Sequence, residues 1–163
     1  MKRAPIALVA LFALAGAAYA QQPAQPHASS DVLFLPAVQY GGPLRISGGL
    51  AVFVPIGDRG TSRRQGVVIE GSGGQGGARL SAGLARFIEA FGLDARAVLN
   101  RTWSSPLGAS PDSTYGGLEA GLSIAYVRVS VGVAHRISGA SGPDATILTW
   151  GVALQLPHYF GRR

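Results

Sequence analysis

Residues 146–156 read TILTWGVALQL. Leu148, Trp150, Val152, Leu154 and Leu156 fall on one side of an extended chain, and Thr149, Gly151, Ala153 and Gln155 on the other. Successive side chains of a strand point to opposite faces, so this alternation predicts a strand between two unlike environments. One face is large and apolar; the other is small or polar. As the last such segment, it must meet the first if the sheet closes.

The rest of the chain repeats the pattern. Residues 43–55 put Leu44, Ile46, Leu50, Val52 and Val54 against Arg45, Ser47, Gly49 and Ala51. Residues 67–71 follow a glycine- and arginine-rich loop, 57–65, and carry Glu70 on their less apolar face. After a glycine turn at 73–77, residues 78–89 set Leu80, Ala82, Leu84 and Ile88 against Arg79, Ser81, Gly83, Ala85 and Glu89. Residues 93–103 set Leu93, Ala95, Ala97, Leu99 and Trp103 against Asp94, Arg96, Asn100 and Thr102. A loop with Pro106 and Pro111 spans 104–114. Beyond it Leu118, Ala120, Leu122 and Ile124 oppose Gly117, Glu119, Gly121 and Ser123. Then Val129, Val131, Val133 and Ile137 oppose Arg128, Ser130, Gly132 and Arg136. No turn residue marks the break near 125–128, whereas 139–144 reads as a turn. Residues 32–40 are a further segment, interrupted by Pro36, which belongs on an edge or a bulge. Counting it gives eight strands, with both ends of residues 31–163 on one side, expected to be the periplasm, and loops 104–114 and 138–145 on the other.

The chemistry of the two faces decides their orientation. A soluble sandwich would turn long polar side chains to water. Here the second face is mostly Gly, Ala and Ser with scattered charges that nearly balance: Arg45, Arg79, Arg96, Arg128 and Arg136 against Glu70, Glu89, Asp94 and Glu119. Small residues and paired ions suit the bore of a barrel of about eight strands, which has just room for side chains. The bulky face then points outward, the inside-out pattern of a transmembrane β-barrel. The expected fold is all-β: a small antiparallel up-and-down barrel over residues 31–163, with a filled lumen and an aromatic girdle of Trp103, Tyr115 and Trp150. Arg86, Arg101 and His135 fall on the outer face near strand ends, where a charge costs about 0–1 kcal/mol.

Export is expected as well. Lys2 and Arg3 precede an apolar run over 4–18 and the small-residue pattern Ala18-Tyr19-Ala20, which describes a signal peptide cleaved after residue 20. Residues 21–30, with Pro23 and Pro26, read as a flexible leader. The chain has no cysteine, which removes disulfides, thiol catalysis and cysteine metal sites. The formal net charge is +6, with no run of basic residues interleaved with aromatics, so nucleic acid is not an expected partner. No cofactor is expected.

Thr149-Trp150-Gly151-Val152-Ala153-Leu154-Gln155-Leu156 resembles the assembly signal of bacterial outer-membrane β-barrels. That signal has a polar residue, a glycine two places on, and hydrophobic residues three and five after the glycine. Thr149, Gly151, Leu154 and Leu156 occupy those places. The resemblance implies the outer membrane of a diderm bacterium, outer-membrane lipids as surroundings, and the barrel-insertion machinery as a transient partner. Members usually finish on an aromatic, whereas residues 157–163 continue past this strand. The role expected of such a barrel is structural, adhesive or envelope-maintaining.

Three other readings compete. Gly71-Ser72-Gly73-Gly74-Gln75-Gly76 is a literal GxGxxG, and Leu80, Leu84, Phe87, Ile88 and Phe91 have helical spacing, so a strand–glycine loop–helix nucleotide site is formally present. His135 and Ser138 could be catalytic, as in the outer-membrane lipid A deacylases. In that family, however, the serine and histidine share a strand face; three residues apart they oppose each other, and no glutamate follows Glu119 to orient the histidine. A soluble exported barrel of the lipocalin type would reverse the faces, turning the large residues into an apolar ligand cavity.

Overall fold

The computed structural model describes residues 32–56, 63–139 and 144–159. The expected signal peptide, the leader and residues 160–163 lie outside them. Eight long strands follow one another: β1 (Leu33–Gly42), β2 (Arg45–Pro55), β3 (Arg63–Gly74), β4 (Gly77–Ile88), β5 (Phe91–Thr102), β6 (Thr114–Ile124), β7 (Val127–Ser138) and β8 (Thr146–Gln155). A two-residue β9 (His158–Tyr159) follows, and no helix occurs among the described residues.

Each long strand pairs antiparallel with its neighbour in sequence, and β1 pairs with both β2 and β8, so the sheet closes into an up-and-down barrel. Closure leaves no long strand with a free edge, which is what makes a barrel self-sufficient in backbone hydrogen bonds. The pairing is staggered. A path of paired residues runs from Leu33 through Phe53, Val68, Gly83, Arg96, Glu119 and Gly132 to Thr149. Thr149 adjoins Trp150, which faces Gly42, so one circuit climbs from one end of β1 to the other. That stagger tilts the strands against the barrel axis. The upper rim carries the β1–β2, β3–β4, β5–β6 and β7–β8 connections. The lower rim carries residues 32 and 159 and the other three.

Period-two alternation is kept almost throughout, and the large apolar face is outward. Leu50, Leu84, Leu93, Leu118, Leu122 and Val131 are exposed, whereas Ser47, Glu70, Ser81, Arg96, Glu119 and Ser130 are buried. The orientation expected from side-chain size is therefore the one observed, and the reversed barrel with a large-residue cavity is not.

Several boundaries differ from the sequence reading, each for a physical reason. Pro36 does not end β1. Its missing N–H faces β8, and there the partner strand is interrupted by Pro157. The Leu156 N–H still reaches the Pro36 carbonyl at 2.9 Å, and pairing resumes with Tyr159 opposite Leu33. β3 extends through Gly71-Ser72-Gly73-Gly74, which pairs in register with Leu50, Gly49, Gly48 and Ser47. The glycines are strand, and the turn is only Gln75-Gly76. Since residues 77–88 are also strand, no helix N-terminus follows the GxGxxG, and the phosphate cradle of a nucleotide site is not formed. The unsignalled break between β6 and β7 is a tight turn in which Ala125 adopts φ 52°, a left-handed conformation usually given to Gly or Asn.

The lumen is less uniformly small than the pattern suggested. Leu35, Ala51, Phe53, Val68 and Ala85 form a buried cluster with Leu33 and Phe87 against it, near the lower rim. Phe53 and Phe87 meet edge to face, centroids 5.1 Å apart. Leu44, grouped by alternation with the outer residues, is in the β1–β2 turn and buried. Phe53→Ala would open a cavity in this cluster and is expected to lower stability by about 3 kcal/mol. Urea unfolding of the folded barrel, followed by tryptophan fluorescence, measures it.

Candidate functional site: lumen and outer wall

Above the apolar cluster six charged side chains form one chain of contacts across five strands. Arg96 binds Glu70, and its Nε lies 2.7 Å from Asp94 Oδ1. Arg128 holds Asp94 in a fork, Nε to Oδ2 at 2.9 Å and Nη2 to Oδ1 at 2.7 Å. The same Nη2 reaches Glu119 Oε1 at 3.1 Å, and Arg79 Nη2 reaches Glu119 Oε2 at 2.5 Å. The order Glu70–Arg96–Asp94–Arg128–Glu119–Arg79 alternates in sign and sums to zero. All six are buried. Such groups are tolerated out of water only when paired and hydrogen-bonded.

Glycine makes room for the chain at one point. A Cβ on Gly121 would lie 2.5 Å from Asp94 Oδ2 and 2.6 Å from Arg128 Nη2. Toward the upper rim the bore is lined mainly by hydroxyls and an amide around Arg79. Ser72 faces Arg79 across β3–β4, and Arg79 faces Asn100 across β4–β5. Arg79 Nε and Nη1, both amide atoms of Asn100 and the hydroxyls of Ser47, Ser72, Ser81 and Ser130 have no hydrogen-bond partner among the described residues.

The β5–β6 connection, residues 103–113, folds over this end. Trp103 N–H donates to Gly76 O at 3.1 Å and Leu107 N–H to Pro43 O at 3.0 Å, tying the loop to two neighbouring hairpins. Thr102 accepts from Ser113 N–H at 3.1 Å, and Ser110 Oγ donates to Asp144 Oδ2 at 3.0 Å. Tyr115 is fully buried with Ala134 and Ile147, and its hydroxyl accepts from Ser110 N–H at 3.0 Å.

The sequence-derived sets map onto this arrangement unevenly. Of the nine residues expected in the lumen, Glu70, Arg79, Asp94, Arg96, Glu119 and Arg128 are brought together. Arg45 and Glu89 are not: Arg45, the first residue of β2 just after the β1–β2 turn, and Glu89, in the β4–β5 turn, are both exposed, with φ 62° and 54°, where the chain reverses before their side chains can enter the bore. Arg136 is half-buried near the upper rim, next to a register shift at Thr114/Tyr115. Of the expected girdle, Trp103 and Trp150 are on the outer face, but Tyr115 points inward, as its place in line with Gly117 and Glu119 requires. The outer aromatic beside Trp150 is Tyr40, edge to face with centroids 5.8 Å apart. Cross-strand register, invisible before the strands were paired, is what finds it.

His135 is outward and its Nδ1 shares a hydrogen bond with Thr146 Oγ1 at 3.0 Å, while Ser138 ends β7. In the assembly-signal-like strand, Thr149 and Gly151 point into the bore and Leu154 and Leu156 outward. Among the described residues no group of three or more His, Cys, Asp or Glu side chains has metal-binding geometry.

Replacing Arg128 by Leu would leave Asp94 and Glu119 each short of a buried partner. The variant is expected to lose about 3–5 kcal/mol. Gly121→Val, which drives a side chain into the same contact, is expected to destabilise in the same direction. Denaturant midpoints of the refolded variants test both. No family model, curated protein or solved structure matches the chain, so the functional reading rests on its own residues.

Proposed function

We propose that the chain is an integral outer-membrane β-barrel of structural, adhesive or envelope-maintaining type, with a plugged lumen. In this reading residues 1–20 direct export, and the strand from Thr149 to Leu156 is recognised by the barrel-insertion machinery. The observation that carries it is the combination of a closed sheet, an outer wall of large apolar side chains and an ion-paired interior. Strands of 10 to 12 residues support it dimensionally. Ten residues at about 3.3 Å each, tilted by about 40°, rise roughly 25 Å, the height of the apolar band of such barrels. A soluble monomer rarely exposes apolar patches above a few hundred Å². Here Leu118 is 71 % exposed, Leu84 66 %, Leu93 64 % and Val38 63 %.

The filled bore favours a structural role over conduction. Phe53 and Phe87 occupy its lower part, the charged chain its middle, and Tyr115 and the 103–113 loop its top. Eight strands leave no open aqueous channel once side chains are in place.

The test is fractionation with carbonate extraction, joined to electrophoretic mobility with and without boiling. An integral barrel stays with outer membranes and shifts mobility on heating; release by carbonate without detergent refutes the reading. Leu50 lies midway along β2 and points outward. Leu50→Arg is expected to destabilise the barrel by about 2–4 kcal/mol in lipid, as midplane arginines do. In a water-facing position the same change would cost almost nothing.

A further inference from the structure

The β5–β6 connection crosses the upper mouth rather than standing at its edge. It leaves the wall between β5 and β6, and in a ring of eight strands the β1–β2 turn lies opposite. Leu107 reaches that turn, where its N–H donates to Pro43 O at 3.0 Å. Trp103 N–H donates to Gly76 O in the β3–β4 turn at 3.1 Å, and Ser110 Oγ to Asp144 Oδ2 in the β7–β8 connection at 3.0 Å. The segment therefore touches each of the other three upper connections. Its stem is pinned separately: Thr102 N–H donates to Ser113 O at 2.8 Å, and Ser113 N–H returns a bond to Thr102 Oγ1 at 3.1 Å.

What holds this span down is slight beside what it covers. None of residues 103–112 is buried, and Ala109 is the residue set against the Tyr115–Ala134–Ile147 cluster. A segment with few buried apolar contacts opens at lower free energy than the sheet that carries it. Beneath it Ser72 faces Arg79 and Arg79 faces Asn100, while Ser47 lies diagonally across from Ser72. The Ser47 and Ser72 hydroxyls, Arg79 Nε and Nη1, and both amide atoms of Asn100 are shut from solvent with no hydrogen-bond partner among the described residues. Leaving a buried polar group unpaired costs more than an ordinary hydrogen bond returns. Opening would break the ties of the span but hydrate this patch, so the two states are close in free energy.

We propose that residues 103–112 form a lid that swings about the Thr102–Ser113 stem and admits water and small polar solutes to the Ser47–Ser72–Arg79–Asn100 patch. The opening leads no further, because Phe53 and Phe87 fill the bore below. The lid exposes the upper bore without making a pore, and it works in this way whatever surrounds the outer wall.

The chain has no cysteine, so a single introduced thiol reports one position. Ser47 and Ala51 share a strand and a face and are 3 % and 0 % exposed, the first in the polar patch and the second in the apolar cluster. In the folded full-length protein Ser47→Cys is expected to react with a small water-soluble methanethiosulfonate, and Ala51→Cys is not. Tyr115→Phe with Ser110→Ala removes two ties of the lid, the tyrosine hydroxyl that accepts from Ser110 N–H and the serine hydroxyl that binds Asp144. The pair is expected to speed the Ser47→Cys reaction at least about tenfold, as the loss of two ordinary hydrogen bonds implies, and to leave Ala51→Cys unchanged. A Ser47→Cys thiol that is inert with and without the two ties overturns the lid. So does a rise shared by both thiols, which reports unfolding of the barrel and not movement of its cap. If the loosened variant fails the heat-shift check for folding, hydrogen exchange of the unaltered protein decides. The Trp103 and Leu107 amides are expected to exchange at least about tenfold sooner than the Thr102 amide on the pinned stem; equal protection of the three overturns the proposal.

Discussion

The pairing of β1 with β8 is the constraint on which the rest of the barrel depends. Only when it forms does every long strand have a neighbour on both sides. It also fixes parity for the whole wall, because a slip of one residue would exchange inner and outer faces of a strand. The charged residues would then face outward and the leucines inward. At this seam Gly41 lies opposite Gly151, and a Cβ on Gly41 would fall 2.0 Å from Trp150 O. The two glycines let the strands approach as closely as the local coiling demands.

The lumen charges follow from that parity. Each interior link of the Glu70-to-Arg79 chain touches a partner on either side, and the links come from β3, β4, β5, β6 and β7. A buried ion chain of this kind is a poor source of net stability, since desolvation offsets most of the attraction. Its effect is on uniqueness. Any strand displaced by two residues keeps its parity but separates acids from arginines, so the charges select one register among those the apolar pattern allows.

Much of this was legible in the sequence. The alternation at Leu148, Trp150, Val152 and Leu154 gave the strand and its outward face, and the size contrast gave the orientation. The six lumen charges were readable because each lies inside a clear alternating run. Arg45 and Glu89 were misplaced because parity stops meaning anything once the backbone turns, and their positive φ has no residue-type signal. Gly73 and Gly74 looked like part of a turn because glycine breaks strands on average, yet here they sit opposite Gly48 and Ser47 in continuous pairing. Tyr40 beside Trp150 and the fold-over of residues 103–113 depend on which strands adjoin. Periodicity within one segment carries no such information. The apolar cluster around Phe53 was missed because its members are spread over β1, β2, β3 and β4, no more than two from any one strand.

The uneven filling of the bore has a consequence for solvent. Leu35, Phe53, Val68 and Phe87 make the lower section greasy and tightly occupied, while Ser47, Ser72, Asn100 and Thr149 make the upper section hydrophilic. Any water in the bore therefore belongs with the unpaired hydroxyls and amide of the upper section, beneath the 103–113 loop, and not among the aromatics below. The bore is polar under its cap and greasy at its base, so its two mouths are chemically as unlike as its two faces.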